Sequence, residues 1–351
     1  MTTRNLTDPA VSLRRGDPEE GLVAPLYENI VTPEDFGPVD VVVDDLKIKR
    51  FAFTQDDFGD WYLRSGPEGV RIGHAALLAN DLLQLFTLRY APSQVVGLHT
   101  QEELWFDRPV PIDTVVTLRA TYTETFELRG QGYVAMTAEA RDSEGRTVLR
   151  HRGEEIMRTA PAEVGGRGSS GDSGQRVSAE YDETIPLVVT AADGLTAGAG
   201  LVPIAKETTL EQVAVFSRYG EGVVNIHNNV AAAKTSGLVV PIVQGQQLVC
   251  YLVELLTRVF GYYWFSGGWI KVKFLKPVDV FDRVSVGGAI RSVDETSDGR
   301  RIELEVWVTR SDGSLAAVGW ARCELPALID EHLVPAPRPA ASMDREEEER
   351  P

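Results

Sequence analysis

The sequence predicts an α+β protein built from two copies of one unit, each a buried helix followed by antiparallel strands. Three observations carry this. Two runs, 75–90 and 245–260, are apolar on most faces, as a helix inside a core must be. Segments downstream, such as Ile302–Thr309, alternate apolar and polar residues with period two, the pattern of a half-buried strand. The landmarks around them also recur in order. Val70-Arg-Ile-Gly-His-Ala75 answers Val240-Pro-Ile-Val-Gln-Gly245 at an offset of 170 residues. Phe106-Asp-Arg-Pro-Val110 answers Phe274-Leu-Lys-Pro-Val278, and Arg141-Asp-Ser-Glu-Gly145 answers Thr309-Arg-Ser-Asp-Gly313, both at 168.

Taken along the chain, residues 1–28 read as a polar N-terminal extension and 29–160 as the first unit. In that unit the run 75–90 is the helix, and Gly132–Glu139 reads as a strand. Ser-Glu-Gly145 closes a hairpin, its glycine supplying a positive φ. Residues 161–182 are rich in Gly and Ser and poor in apolar side chains, so they read as a linker. The second unit spans 183–328, with its helix at 245–260, strands at 283–286 and 302–309, and a matching turn at Gly313. Residues 329–351 end in an acidic tail.

Composition narrows the function. The 351 residues carry 35 Lys and Arg against 52 Asp and Glu, a net charge of −17. That disfavours nucleic acid and anionic membranes, both of which require a basic surface. No uninterrupted apolar stretch reaches 18 residues, and the N-terminus lacks the apolar core of a signal peptide, so a cytoplasmic location without a membrane span is expected. Cys250 and Cys323 sit among apolar residues at no metal spacing and read as buried free thiols. No phosphate loop, nucleophile elbow or metal-ligand cluster is present, so no cofactor is called for.

The chemistry concentrates in 219–245. Tyr219-Gly-Glu-Gly-Val-Val-Asn-Ile-His-Asn-Asn229 holds His227, one of only five histidines, and leads to Gln244-Gly245 at the start of the second helix. A glycine at a helix start leaves backbone N–H groups open to a ligand, and the helix dipole favours developing negative charge there. A histidine beside it can take or give a proton near neutral pH. From the residues alone, a capped loop with a hydrogen-bonded histidine fits the same pattern.

His227, with Ala232, Gly237, Pro241, Ile242 and Gly245 at fixed spacings after it, resembles the motif of the MaoC-like (R)-specific enoyl-CoA hydratases. The strand Trp269-Ile-Lys-Val-Lys-Phe-Leu-Lys-Pro-Val-Asp279 is similar to that family's strand after the helix, and the duplication resembles its double hot-dog members. The resemblance covers about 29–327. It implies a double hot-dog fold, with a degenerate first half and the site in the second. It further implies addition of water to a trans-2-enoyl thioester, or the reverse, with His227 as acid/base and the Gly245 N–H as oxyanion donor. Gly222 stands where the family carries its aspartate; Glu221 by a local shift, or Asn225 holding a water, would replace it. Gln244, Ile242, Asn229, His74 and Lys273 are the expected substrate contacts, and Lys271, Lys276 and Arg108 the other cations for an anionic carrier group. The expected partner is an acyl-CoA or acyl-carrier-protein thioester, and a homodimer is compatible with the fold. Two further classes stay open: a hot-dog thioesterase using Asp81 or Glu254, and a divergent thioester-binding pseudoenzyme or cyclase.

Overall fold

The computed structural model describes residues 19–94, 97–128, 130–157 and 176–335. The first half contributes β1 (Glu34–Val43), three helices, α1 (Asp45–Gln55), α2 (Asp60–Leu63) and α3 (Ala79–Leu83), and then β2 (Leu98–Phe106), β3 (Thr114–Leu128), β4 (Gln131–Arg141) and β5 (Thr147–Met157). The second half repeats the plan: β6 (Ile204–Glu207), α4 (Leu210–Phe216), α5 (Val230–Thr235), α6 (Gly245–Phe260) and α7 (Trp264–Gly267), followed by β7 (Gly268–Phe274), β8 (Arg283–Thr296), β9 (Gly299–Arg310) and β10 (Leu315–Pro326).

All ten strands form one antiparallel sheet in the order β1-β3-β4-β5-β2-β7-β10-β9-β8-β6. Read from its middle, the order is the same in both directions, so the duplication is visible as a palindrome. The halves join where Gln101–Trp105 of β2 pairs with Lys273–Trp269 of β7. Local bonds repeat as well. Asp107 and Arg108 donate backbone N–H to the Val148 carbonyl, as Leu275 and Lys276 do to that of Ala316. Gly73 donates to Val110 as Val243 does to Val278. The hairpin glycines Gly145 and Gly313 have φ of 77° and 79°.

The two central helices differ. In α6 every residue except Gly245 and Arg258 is buried, which removes most of an apolar helix from water at about 1.5–3 kcal/mol per large side chain. It stops at Gly261, whose φ is 61° and where a Cβ would lie 2.1 Å from the Leu333 carbonyl oxygen. By length and composition alone the stretch 245–267 is long and apolar enough to cross a membrane, and 83% of its most apolar window is buried inside the protein.

The helix expected over 75–90 is corrected by the structure. Residues 75–78 form turns, α3 covers only Ala79–Leu83, and Gln84–Leu88 tightens to a 3₁₀ helix. Asn80 and Asp81 sit in its middle, and both side chains bond outside it. Asn80 donates to the Phe216 carbonyl (2.9 Å), and Asp81 pairs with Lys47 (2.6 Å). Such side chains favour caps and turns over helix interiors.

The linker expected over 161–182 lies outside the described residues up to 175. Its end is fastened: Arg291 donates to Ser178 Oγ and the Glu180 carbonyl, and Val177 and Ala179 pack on Trp307 and Val318. The extension 1–18 and the tail from 336 also lie outside the described residues, whereas Val334 packs behind Gly261. Both cysteines are free and buried.

Candidate active site

The loop from β6 to α6 is built by short side chains bonding to backbone. Thr209 and Gln212 form a capping box at the start of α4. Gly222 adopts φ +83°, a conformation that excludes most side chains. The Asn228 amide donates to Ser217 Oγ (2.9 Å) and the Val223 carbonyl (3.0 Å), drawing the loop into a knot. Asn225 Oδ1 accepts the His227 N–H (2.9 Å), and Asn229 Oδ1 caps α5 by accepting from Ala232 N–H (3.0 Å). His227 is therefore held from both sides by its own loop.

That loop is stitched to the head of α6. Ile242 donates its N–H to the Ile226 carbonyl (3.3 Å), and His227 Nδ1 lies 2.8 Å from the Ile242 carbonyl oxygen. A carbonyl only accepts, so Nδ1 carries the proton and the Nε2 lone pair is left to act as a base. Burial pushes the imidazole down to about 4, against a smaller upward pull from the Ile242 carbonyl, so the ring is neutral at physiological pH.

Three residues beyond Ile242, α6 begins. Its first N–H groups have no carbonyl partner within the helix, and its N-cap residue Gln244 makes no side-chain cap. Gly245 is partly exposed, while Gln244, Gln246 and Gln247 around it are buried. A Cβ on Gly245 would sit 3.0–3.3 Å from the Phe274 ring, so a side chain there would require that ring to shift by a few tenths of an ångström. The result is a neutral imidazole bonded to the carbonyl three residues before an uncapped helix start.

The remaining expected residues are placed otherwise. Glu221 accepts two hydrogen bonds from Arg218, Nε at 2.8 Å and Nη2 at 2.5 Å, and among the described residues none joins it to His227. Asn225 and Asn229 each use the carbonyl oxygen to accept a backbone N–H, from His227 and Ala232 respectively, and their side-chain NH2 groups are not part of those bonds. Lys273 is a further correction. Strand alternation sends Ile270, Val272 and Phe274 toward α6 and Lys271 and Lys273 to the opposite face, where Lys273 lies over the Trp320 ring (5.3 Å). Lys276 and Arg108 are exposed at equivalent strand ends. His74 is buried, stacked on Tyr62 (3.4 Å between ring centres), with Nε2 2.9 Å from the Asp57 carbonyl. Asp60 begins α2, and Asp57 beside it is buried. In the run 262–265, Trp264 and Phe265 are core residues.

One cluster escaped the sequence reading. His99 and His151 each place Nε2 2.9 Å from Glu102 Oε2, and the Glu102 side chain is 0% exposed. The two histidines hold the Glu102 carboxyl below its usual range despite burial that pushes it up, and Glu102 lifts His99 against the same effect. His99 also lies against Phe274 (4.8 Å between ring centres), the ring that covers Gly245. A β-bulge between His99 and Gln101 brings His99 and Glu102 together, and strand pairing supplies His151. The only signal in the sequence is a polar run, His99 to Glu103, in what becomes a central strand.

No protein-family model matches the sequence, and no curated protein matches it significantly. Solved structures do match. A MaoC-like dehydratase superposes with a TM-score of 0.63 at 14% identity, covering 85% of this chain and 99% of that one. A protein from Chloroflexus aurantiacus J-10-fl described as a MaoC domain dehydratase gives 0.64 at 10%, covering 86% and 97%. A conserved hypothetical protein from Mycobacterium tuberculosis, described as having a double hotdog fold, gives 0.60 at 13%, covering 86% and 97%. At these identities the likeness is one of fold.

Proposed function

Starting from a double hot-dog fold shared with MaoC-like dehydratases, we propose that this protein is a hydratase or dehydratase acting on an enoyl or 3-hydroxyacyl thioester. The observation that carries the reading is a neutral His227 whose Nδ1 is bonded to the Ile242 carbonyl, three residues before the uncapped α6 start at Gly245, with no hydrogen bond to Nε2 among the described residues. In the hydration direction Nε2 takes a proton from water, whose oxygen forms a bond to Cβ of the enoyl group. The electron pair of the double bond moves toward the thioester carbonyl, and the enolate oxygen so formed accepts from the Gly245 N–H in the positive field of the helix end. The imidazolium then returns its proton to Cα. Dehydration is the reverse. CoA and carrier-protein thioesters satisfy this chemistry equally, and a cytoplasmic setting fits the reading.

A second reading is favoured by Glu221. With that carboxylate taken by Arg218, no acidic group among the described residues is hydrogen-bonded to His227 to hold a water with it. A hydroxyl on the substrate itself would then serve as the nucleophile, and His227 with Gly245 would close a ring. The test is loss of enoyl absorbance with a trans-2-enoyl thioester, in wild type and His227→Ala. Turnover abolished in the variant supports the proposal, and an active His227→Ala overturns both readings.

A further inference from the structure

A helix leaves its last carbonyls without partners inside itself, and other groups must meet them. At the end of α1 the chain meets two of its own. Asp56, in the left-handed region at φ 49°, donates its N–H to the Ala52 and Phe53 carbonyls, and Asp57 donates to Ala52. The other bonds come from the second half. Gln212 Nε2 of α4 donates to Phe53 (3.0 Å) and Gln247 Nε2 of α6 to Thr54 (2.9 Å). Lys206 Nζ of β6 donates to Gln55 (2.6 Å) and Asp56 (3.3 Å). Four consecutive carbonyls of the first half thus accept from three elements of the second.

Two of those elements lead into the candidate site. Gln247 stands in the first turn of α6, two residues after Gly245. Glu254, two turns further on, pairs with Lys206 (2.7 Å), so α6 is tied to the end of α1 twice. α4 leads to His227. Its last carbonyl, Phe216, accepts from Asn80 of α3 (2.9 Å), and the next residue, Ser217, accepts through Oγ from Asn228, the neighbour of His227 (2.9 Å).

The repeat supplies a control. Lys206 lies opposite Val284 of β8, and the equivalent place in β1, opposite Val116, is held by Val41. At the offset of 170, Gln247 answers Leu77 and Glu254 answers Gln84. Val41 and Leu77 are buried, and so are Lys206, Gln247 and Glu254. Burying a charge or an amide carries a desolvation cost that Val and Leu avoid. A packing role alone would be met by the apolar residues, yet the half with the candidate site carries the polar ones.

We infer that the last turn of α1 is the fixed point that sets the His227 loop and the α6 start relative to one another, with Gln247, Lys206 and Gln212 as positioning residues. The inference rests on the hydratase reading above and assigns the first half its part in that site. A displacement of 1 Å at the reacting atoms is enough to cost about 10²-fold in rate, so the first half governs turnover without touching the substrate.

The experiment measures hydration of a trans-2-enoyl thioester by full-length wild type, Gln247→Leu, and the pair Lys206→Val with Glu254→Gln, which write the first half's residues into the second. Leu118→Ala, a large-to-small change in buried β3, is the control for lost stability alone. The expected result is a fall in kcat of about 10²-fold in Gln247→Leu and at least about 10-fold in the pair, with KM within a few-fold of wild type. Leu118→Ala should melt earlier and keep its kcat. An unchanged kcat in Gln247→Leu, a change confined to KM, or a kcat that merely follows melting temperature across all variants overturns the inference. Should Gln247→Leu fail to fold, the pair decides by the same criteria. Amide hydrogen exchange reads the displacement without turnover: 245–250 should exchange faster relative to 252–259 in Gln247→Leu, and not in Leu118→Ala. That exchange difference in a protein whose wild type hydrates no enoyl thioester would sink the hydratase reading and sustain this one. Unmoved exchange with unmoved kcat in an active enzyme would overturn this one alone.

Discussion

The two halves place comparable chemistry at the same point of the repeat. In the second half, His227 leans on the Ile242 carbonyl and the 16-residue α6 starts at Gly245. At the offset of 170, the first half has Asp57 for His227, Ile72 for Ile242, His74 for Gln244 and Ala75 for Gly245. It thus keeps an imidazole and adds a carboxylate, with His74 Nε2 3.6 Å from Asp57 Oδ2. What it loses is the helix start: the chain passes through turns at 75–78 before α3 begins. An acid/base pair alone therefore does not distinguish the two. The second half differs in starting a long helix, with its aligned dipole, three residues after the carbonyl that holds His227 in its Nδ1-protonated form.

The comparison breaks most sharply at His227. His227→Ala should lower turnover of an enoyl thioester by about 10²–10⁴-fold, the usual worth of a general base, while His74→Ala should leave it within a few-fold. Steady-state kinetics on both, with folding checked by circular dichroism, decides this. A large loss at His74 would mean that the first half takes part in the chemistry. Next comes Gly245→Ala. The added methyl meets the Phe274 ring at 3.0–3.3 Å and crowds the N–H behind it. A fall of about 10²-fold is expected, comparable to losing one oxyanion donor. The matching Ala75→Gly should change nothing, since no helix end is aimed from there.

The pH dependence tests the state of the base. Burial holds His227 down to about 4 in the folded chain, against about 6.5 when unfolded. The acid limb of kcat/KM should therefore fall near pH 4 and not near 6.5. For stability, folded and unfolded chains both hold the ring neutral above pH 6.5, so it contributes no pH slope there. Between about 6.5 and 4 only the unfolded chain takes up the proton, and the folded state loses on the order of 3 kcal/mol as pH falls through that window. Urea melts of wild type against His227→Gln read this directly, since the variant should lack that part of the slope.

Much of this was legible from residue order. The duplication was written in landmarks that became equivalent hydrogen bonds, as at Val148 and Ala316. The extent of α6 followed from a run apolar on most faces that ends at a glycine. The failures have physical causes. Asn80 and Asp81 looked tolerable within a helix until partners on other elements claimed them. Lys273 looked available until strand alternation turned it away from α6. The His99–Glu102–His151 cluster depends on a bulge and a ladder joining residues 49 apart, and no local pattern announces such a pairing.

The smallest expected effect is at the carboxylates. If a carboxylate near the imidazole were what made a half active, Glu221 would matter most in the second half. Its oxygen instead accepts from Arg218, which also donates to Thr87 of the first half (3.3 Å). Glu221→Gln keeps an acceptor for Arg218 and removes only the charge. It should alter kcat by no more than a few-fold, and cost about 1 kcal/mol or less because the pair is partly exposed. Asp57→Asn in the first half should leave turnover equally unmoved. Its effect should fall on stability, since Asp57 is buried beside His74. Measuring kcat and the urea midpoint for both variants separates the two roles. A loss of 10²-fold at Glu221 would show that Arg218 surrenders the carboxylate when substrate binds, restoring an acidic partner to His227. A silent Glu221 leaves the attacking oxygen to be positioned by the substrate.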